Sequence, residues 1–178
     1  MEFSSSQRGV ALGAASGLVL TVASLTLAAL LEPFGALSAT LAARLQLLAL
    51  SALAPALALT VCIGRQANHR FRTPQDIDGS GLTAGTDQAR LLQALLQNTL
   101  EQLALALPVY AAWALLAPAH LLDVVPVAAL LFLLGRGLFY WGYARGAPGR
   151  ALGFGLTFYP TALLLAVAVV SVGAHAVG

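Results

Sequence analysis

Charge is what this sequence has least of. Only 9% of its 178 residues are Asp, Glu, Lys or Arg, against about 25% in a soluble domain. With 59% hydrophobic residues and a mean hydropathy of +0.84, that scarcity excludes a soluble globular domain. Lysine is absent, so all nine basic residues are Arg. They are scattered and form no clustered patch of the kind nucleic acid requires, so no nucleic-acid partner is expected. Cys62 is the single cysteine, which excludes an intrachain disulfide. No His, Cys and Asp group has metal-ligand spacing, and no metal is expected. The serines lack a His–Asp pair on their side of the membrane, which argues against a serine hydrolase.

What the chain does have is long apolar runs. Five can cross about 30 Å of hydrocarbon: Val10–Leu31, Leu45–Ile63, Leu91–Leu116, Val124–Tyr143 and Leu152–Val172. Pro55 and Pro108 fall inside spans, where lipid-embedded helices tolerate them. The first run is longer than the ~7–15 residues of a signal peptide's apolar core and reads as a retained helix. With five spans, Arg8, Arg65, Arg70, Arg72, Arg90, Arg145 and Arg150 lie on one side of the membrane and Arg44 on the other. Arg136 falls within the fourth span, toward the basic side. The positive-inside rule makes the basic side cytoplasmic and the C-terminus external. The longest loop is expected over Gly64–Arg90. Consecutive spans two and three, and four and five, are expected to be antiparallel neighbours, the second pair through a short connection.

Polar residues inside these spans mark a site. Gln93, Gln97, Asn98, Glu101 and Gln102 recur at intervals of four and five and share one helical face. A carboxylate at membrane depth costs about 2.5–3.5 kcal/mol on insertion scales unless it is paired or wetted. In the fourth span, Arg136, Phe139, Tyr140 and Tyr143 sit at i, i+3, i+4 and i+7. Arg136 is the expected partner of Glu101. Tyr143 sets a hydroxyl at the interface.

The run Gln97–Gln102 (QNTLEQ), followed by R-x-x-F-Y-x-x-Y-A-R and a further Arg between Arg136 and Arg150, resembles the MAPEG superfamily, in its bacterial-type form. These are membrane-associated proteins in eicosanoid and glutathione metabolism, microsomal glutathione transferases among them. The resemblance covers about Leu45 to Val172, and it implies an all-α membrane protein with an antiparallel four-helix bundle. Residues 1–44 then form an extra N-terminal helix and connector, and 45–178 the bundle. It also implies a homotrimer, glutathione as co-substrate bound between subunits near the cytoplasmic face, and a bacterial inner-membrane location. By the same resemblance, the expected glutathione-binding residues are Asn98, Glu101, Arg136 and Tyr140, together with Gln102, Arg70 and Arg72. Arg150 stabilises the thiolate, with Tyr143 beside it as a hydrogen-bond donor. Two positions depart from the pattern: Ala94 stands where the family has Arg, and Phe139 where the transferases often have Tyr.

The function implied is a glutathione-dependent transferase or peroxidase acting on a lipophilic electrophile from the bilayer. The alternative is a non-catalytic scaffold, or a protein binding an anionic lipid or ligand, on the same fold. The loop Asp76–Asp87 (DIDGSGLTAGTD) fits an EF-hand at positions one, three, five, six and twelve. Thr83 at position eight and Pro74 before the loop break that context, so a turn-rich connector is expected. Plainer roles are expected elsewhere. Arg65, Arg70 and Arg72 read as topology determinants, His69 as solvated, Cys62 as a small apolar filler, and Trp113, Trp141 and Tyr110 as packing or belt aromatics.

Overall fold

The computed structural model describes residues 4–35, 40–79 and 81–177. Among the described residues, five α-helices follow one another: α1 Ser5–Leu31, α2 Leu41–Arg72, α3 Asp87–Leu116, α4 Val124–Gly142 and α5 Gly146–Val177. Four helical stretches among the described residues are long and apolar enough to cross a membrane. Three are α1, α2 and α3. The fourth, Ala119–Ser171, contains α4 and most of α5 and doubles back where Gly146 adopts φ +77°, a conformation glycine takes without a Cβ clash. The chain is an all-helical membrane protein, and large apolar side chains such as Leu30, Leu53 and Val170 cover its outer face.

Local sequence explains where the helices begin. Ser4 and Gln7 form a reciprocal capping box on α1. Thr40 and Thr86 cap α2 and α3 through their hydroxyls. The expected loop over Gly64–Arg90 is shorter in the structure. α2 runs on through Arg72, because Arg65-Gln66-Ala67-Asn68-His69-Arg70 can stay helical beyond an apolar span. It stops at Thr73, which Pro74 holds extended at φ −119°, ψ 98°.

α4 and α5 form the expected antiparallel pair. Gly142 meets the Gly149 carbonyl, and Gly135 meets Gly153 and Thr157. Any Cβ at Gly142 or Gly135 would collide, so these positions fix how closely the hairpin closes. α2 and α3 are also antiparallel: Arg44 Nη1 donates to the Ala114 and Ala117 carbonyls at 2.8 Å, and Arg70 Nη2 donates to Gln93 Oε1 at 3.5 Å. α1 instead lies parallel to α5, with Gly9, Gly13 and Gly17 facing Pro148, Ala151 and Gly155. Tyr110, Val125, Ala128 and Phe132 are fully buried between the helices. Asp123 Oδ2 accepts from Phe34 N at 2.8 Å and ties the α1–α2 connection to the start of α4.

Candidate functional site

A groove of about 610 Å³ opens between α1, α3 and the α4–α5 turn. Asn98 and Glu101 reach it from α3, Tyr143 from the turn, and Arg150 from the start of α5. Its volume lies within the roughly 300–1,000 Å³ of small-molecule sites. The tight Gly142–Gly149 contact brings Arg150 against Tyr143, with the guanidinium carbon 4.7 Å from the ring centroid. The Tyr143 ring meets Phe139 edge-on at 5.4 Å, and the Arg136 guanidinium carbon lies 4.3 Å from the Phe139 centroid. Two cations, Arg136 inside the bundle and Arg150 at the groove, thus bracket the Phe139–Tyr143 ring pair, each over the negative face of a ring.

Arg136 stands behind the groove and does not line it. It is 1% exposed. Its Nη1 donates to Asn98 Oδ1 at 2.7 Å and its Nε to Thr157 Oγ1 at 3.1 Å. Nη2 is buried with no partner among the described residues. The expected Glu101–Arg136 pair is therefore corrected. Glu101 is exposed at the lip, where Gln97 Nε2 donates to its Oε1 at 3.0 Å. Three residues along α3 amount to about 4.5 Å of rise. Asn98 is level with Arg136, and Glu101 is not.

Four other residues expected at the glutathione site, Tyr140, Gln102, Arg70 and Arg72, do not line the groove. Tyr140 turns away from the groove, since neighbouring helical positions point about 100° apart. Its hydroxyl lies 2.9 Å from Thr99 Oγ1, donates to the Ala58 carbonyl at 3.4 Å and touches the Cys62 thiol. Cys62 also donates to Thr99 Oγ1 at 3.5 Å, so it joins a buried polar trio where an apolar filler was expected. Gln102 is buried in the bundle. Arg70 lines a second cavity of about 390 Å³, which shares Ala94 and Gln97 with the groove. Arg72 lines a third, of about 240 Å³, with Arg65 and His69.

The loop between α2 and α3 closes on itself. The Asp76 carboxylate accepts from Thr86 N at 2.8 Å and Thr86 Oγ1 at 2.6 Å, with His69 Nε2 2.8 Å away. The Thr86 hydroxyl, then its backbone N–H, holds the Asp76 carboxyl below its ordinary value of 3.8, and His69 adds to this. His69 is thus a partner of a buried carboxylate, which corrects the expectation of a solvated ring. The carboxylate at EF-hand position one is already occupied by the loop, and position five, Ser80, lies outside the described residues. No metal-binding cluster occurs among the described residues.

A family model, the MAPEG family, matches residues 40–170. The chain belongs to the MAPEG family. No curated protein and no solved structure matches it. The MAPEG match leaves α1 outside, yet Val10 and Ala14 of α1 line the groove, as do Phe154 and Tyr159 of α5. Reading the polar residues alone missed these four. The signal that could have found α1 is Gly9-x-x-x-Gly13-x-x-x-Gly17, a spacing that lets two membrane helices approach closely.

Proposed function

We propose that this MAPEG protein is a glutathione-dependent transferase or peroxidase whose second substrate is a lipophilic electrophile, with glutathione held in the groove. The observation that carries this reading is the convergence of Asn98, Glu101, Tyr143 and Arg150 on one groove. Glutathione presents two carboxylates, an ammonium group, amides and a thiol. The groove presents a guanidinium for the thiolate, a carboxylate for the ammonium group, and a carboxamide and a phenol for the amides. Arg136 acts by positioning: by holding Asn98 Oδ1 it leaves the amide N–H groups to a ligand. Arg150 stabilises the thiolate, since a cation near sulfur favours the charged state and low dielectric strengthens the attraction. In the transferase reaction the thiol proton passes to solvent, sulfur bonds to the electrophilic carbon, and the leaving group departs with its electron pair. The working unit is a homotrimer in a bacterial inner membrane, with the groove toward the cytoplasm. Residues 1–44 are an appendage to the 45–178 bundle.

The test is glutathione titration of the purified protein, followed by thiolate ultraviolet absorbance and by turnover of a model electrophile. Wild type should show both signals. Arg150→Ala should lower turnover by roughly 10²-fold or more while changing glutathione affinity far less, because the thiolate is the reacting species. Glutathione bound without thiolate signal or turnover would overturn the enzyme reading. A second reading rests on Ala94, which removes a basic side chain from the family's pattern. The groove then binds another anionic headgroup without catalysis, and vesicle lipid would stabilise the protein where glutathione does not.

A further inference from the structure

The groove lining has two parts of different chemistry. Asn98, Glu101, Tyr143 and Arg150 make the polar half, and the apolar half combines Phe139 and Phe154 with Val10 and Ala14 of α1. α1 is held there firmly. A Cβ at Gly9 would come 2.9 Å from Pro148 Cβ, one at Gly13 2.7 Å from Ala151 Cβ, and one at Gly17 3.1 Å from Gly155 Cα. The helices meet with almost nothing between them, which is the close packing that stabilises helix pairs where lipid removes the hydrophobic drive. Val10 and Ala14 each follow a seam glycine by one residue, so the seam sets their distance from the polar half. Both are only partly buried within the chain, so their free surfaces face the groove.

The geometry points to α1 as the specificity wall of the groove: Val10 and Ala14 set how large an apolar group can sit on the sulfur of a glutathione-like thiol. This rests on the proposed glutathione reading. The ligand class is a small anionic peptide head carrying an alkyl or aryl substituent at sulfur. The helix outside the family segment thereby acts in substrate selection as well as in anchoring the chain.

The test uses the full chain in lipid nanodiscs and three probes that need no turnover: S-methyl-, S-hexyl- and S-nonylglutathione. Wild type should bind S-hexylglutathione at least tenfold more tightly than S-methylglutathione. Val10→Ala should weaken the S-hexyl compound by roughly three- to tenfold, as expected when about two methyl groups of contact are lost, and leave the S-methyl compound within twofold. Ala14→Leu should shift the preferred chain length downward, with S-nonylglutathione suffering most. Ala14→Ser, nearly the same size, guards against misfolding: it should keep wild-type thermal stability and weaken only the long-chain probes. If all three variants treat the probes as wild type does, or change them all equally, the wall assignment is overturned while the glutathione reading stands. If wild type binds none of the probes, the glutathione reading falls and takes the wall with it.

Discussion

Among single residues, Arg136 carries the heaviest electrostatic burden. It is a guanidinium at 1% exposure, with two neutral oxygens and a ring face as compensation and no acidic partner among the described residues. Hydrogen bonds to charged groups contribute about 1.5–3 kcal/mol. Asn98→Ala and Arg136→Gln should therefore be coupled in a double-mutant cycle of thermal stability in detergent, by roughly 1 kcal/mol or more. Glu101→Gln and Arg136→Gln should be additive. Additivity for the Asn98 pair would mean that the bond contributes nothing. The sequence made Asn98, Glu101 and Arg136 conspicuous because polar groups at membrane depth are costly. It could not say which of them meet, because helical spacing gives the face of a residue but not its level against a neighbouring helix. Cys62 reads as an apolar filler for a related reason: its partners, Thr99 and Tyr140, come from other helices. Tyr140, expected to hold glutathione, has its hydroxyl at Thr99 and the Ala58 carbonyl.

Helices were easier to read than their ends. The apolar runs gave all five helices and the two antiparallel pairs. The end of α2 was missed by nine residues, 64–72, because hydropathy marks where lipid stops and not where hydrogen bonding stops. The connector that follows is organised by one carboxylate, Asp76, bridging His69 on α2 and the N-cap Thr86 of α3. Its folded carboxyl titrates below the unfolded value of 3.8. The stabilisation is therefore complete above that value and is lost as pH falls through the lower folded one. Limited proteolysis of the connector should be slow from neutral pH down to about pH 4 and faster below it. Asp76→Ala should give fast cleavage at every pH and no pH step. A wild type that shows no step near pH 4 would mean that the Asp76 carboxylate does not organise the connector.

At the scale of the whole molecule, the parallel seam between α1 and α5 requires both helices to begin on the same side of the membrane, as five spans demand. Reporters placed in residues 73–86 and at the α4–α5 turn should read cytoplasmic, and one in residues 117–123 external, following the arginine bias. The reverse pattern would invert the orientation of the groove. One further property follows from where Cys62 lies. It is the chain's only thiol, 4% exposed, and enclosed where α2, α3 and α4 meet. A maleimide can reach it only when those three helices separate, so the protein carries a native clock for its own opening. Labelling rates taken across detergents, lipids and added ligands should rank how often the bundle breathes. No cysteine need be engineered in or removed to make that measurement.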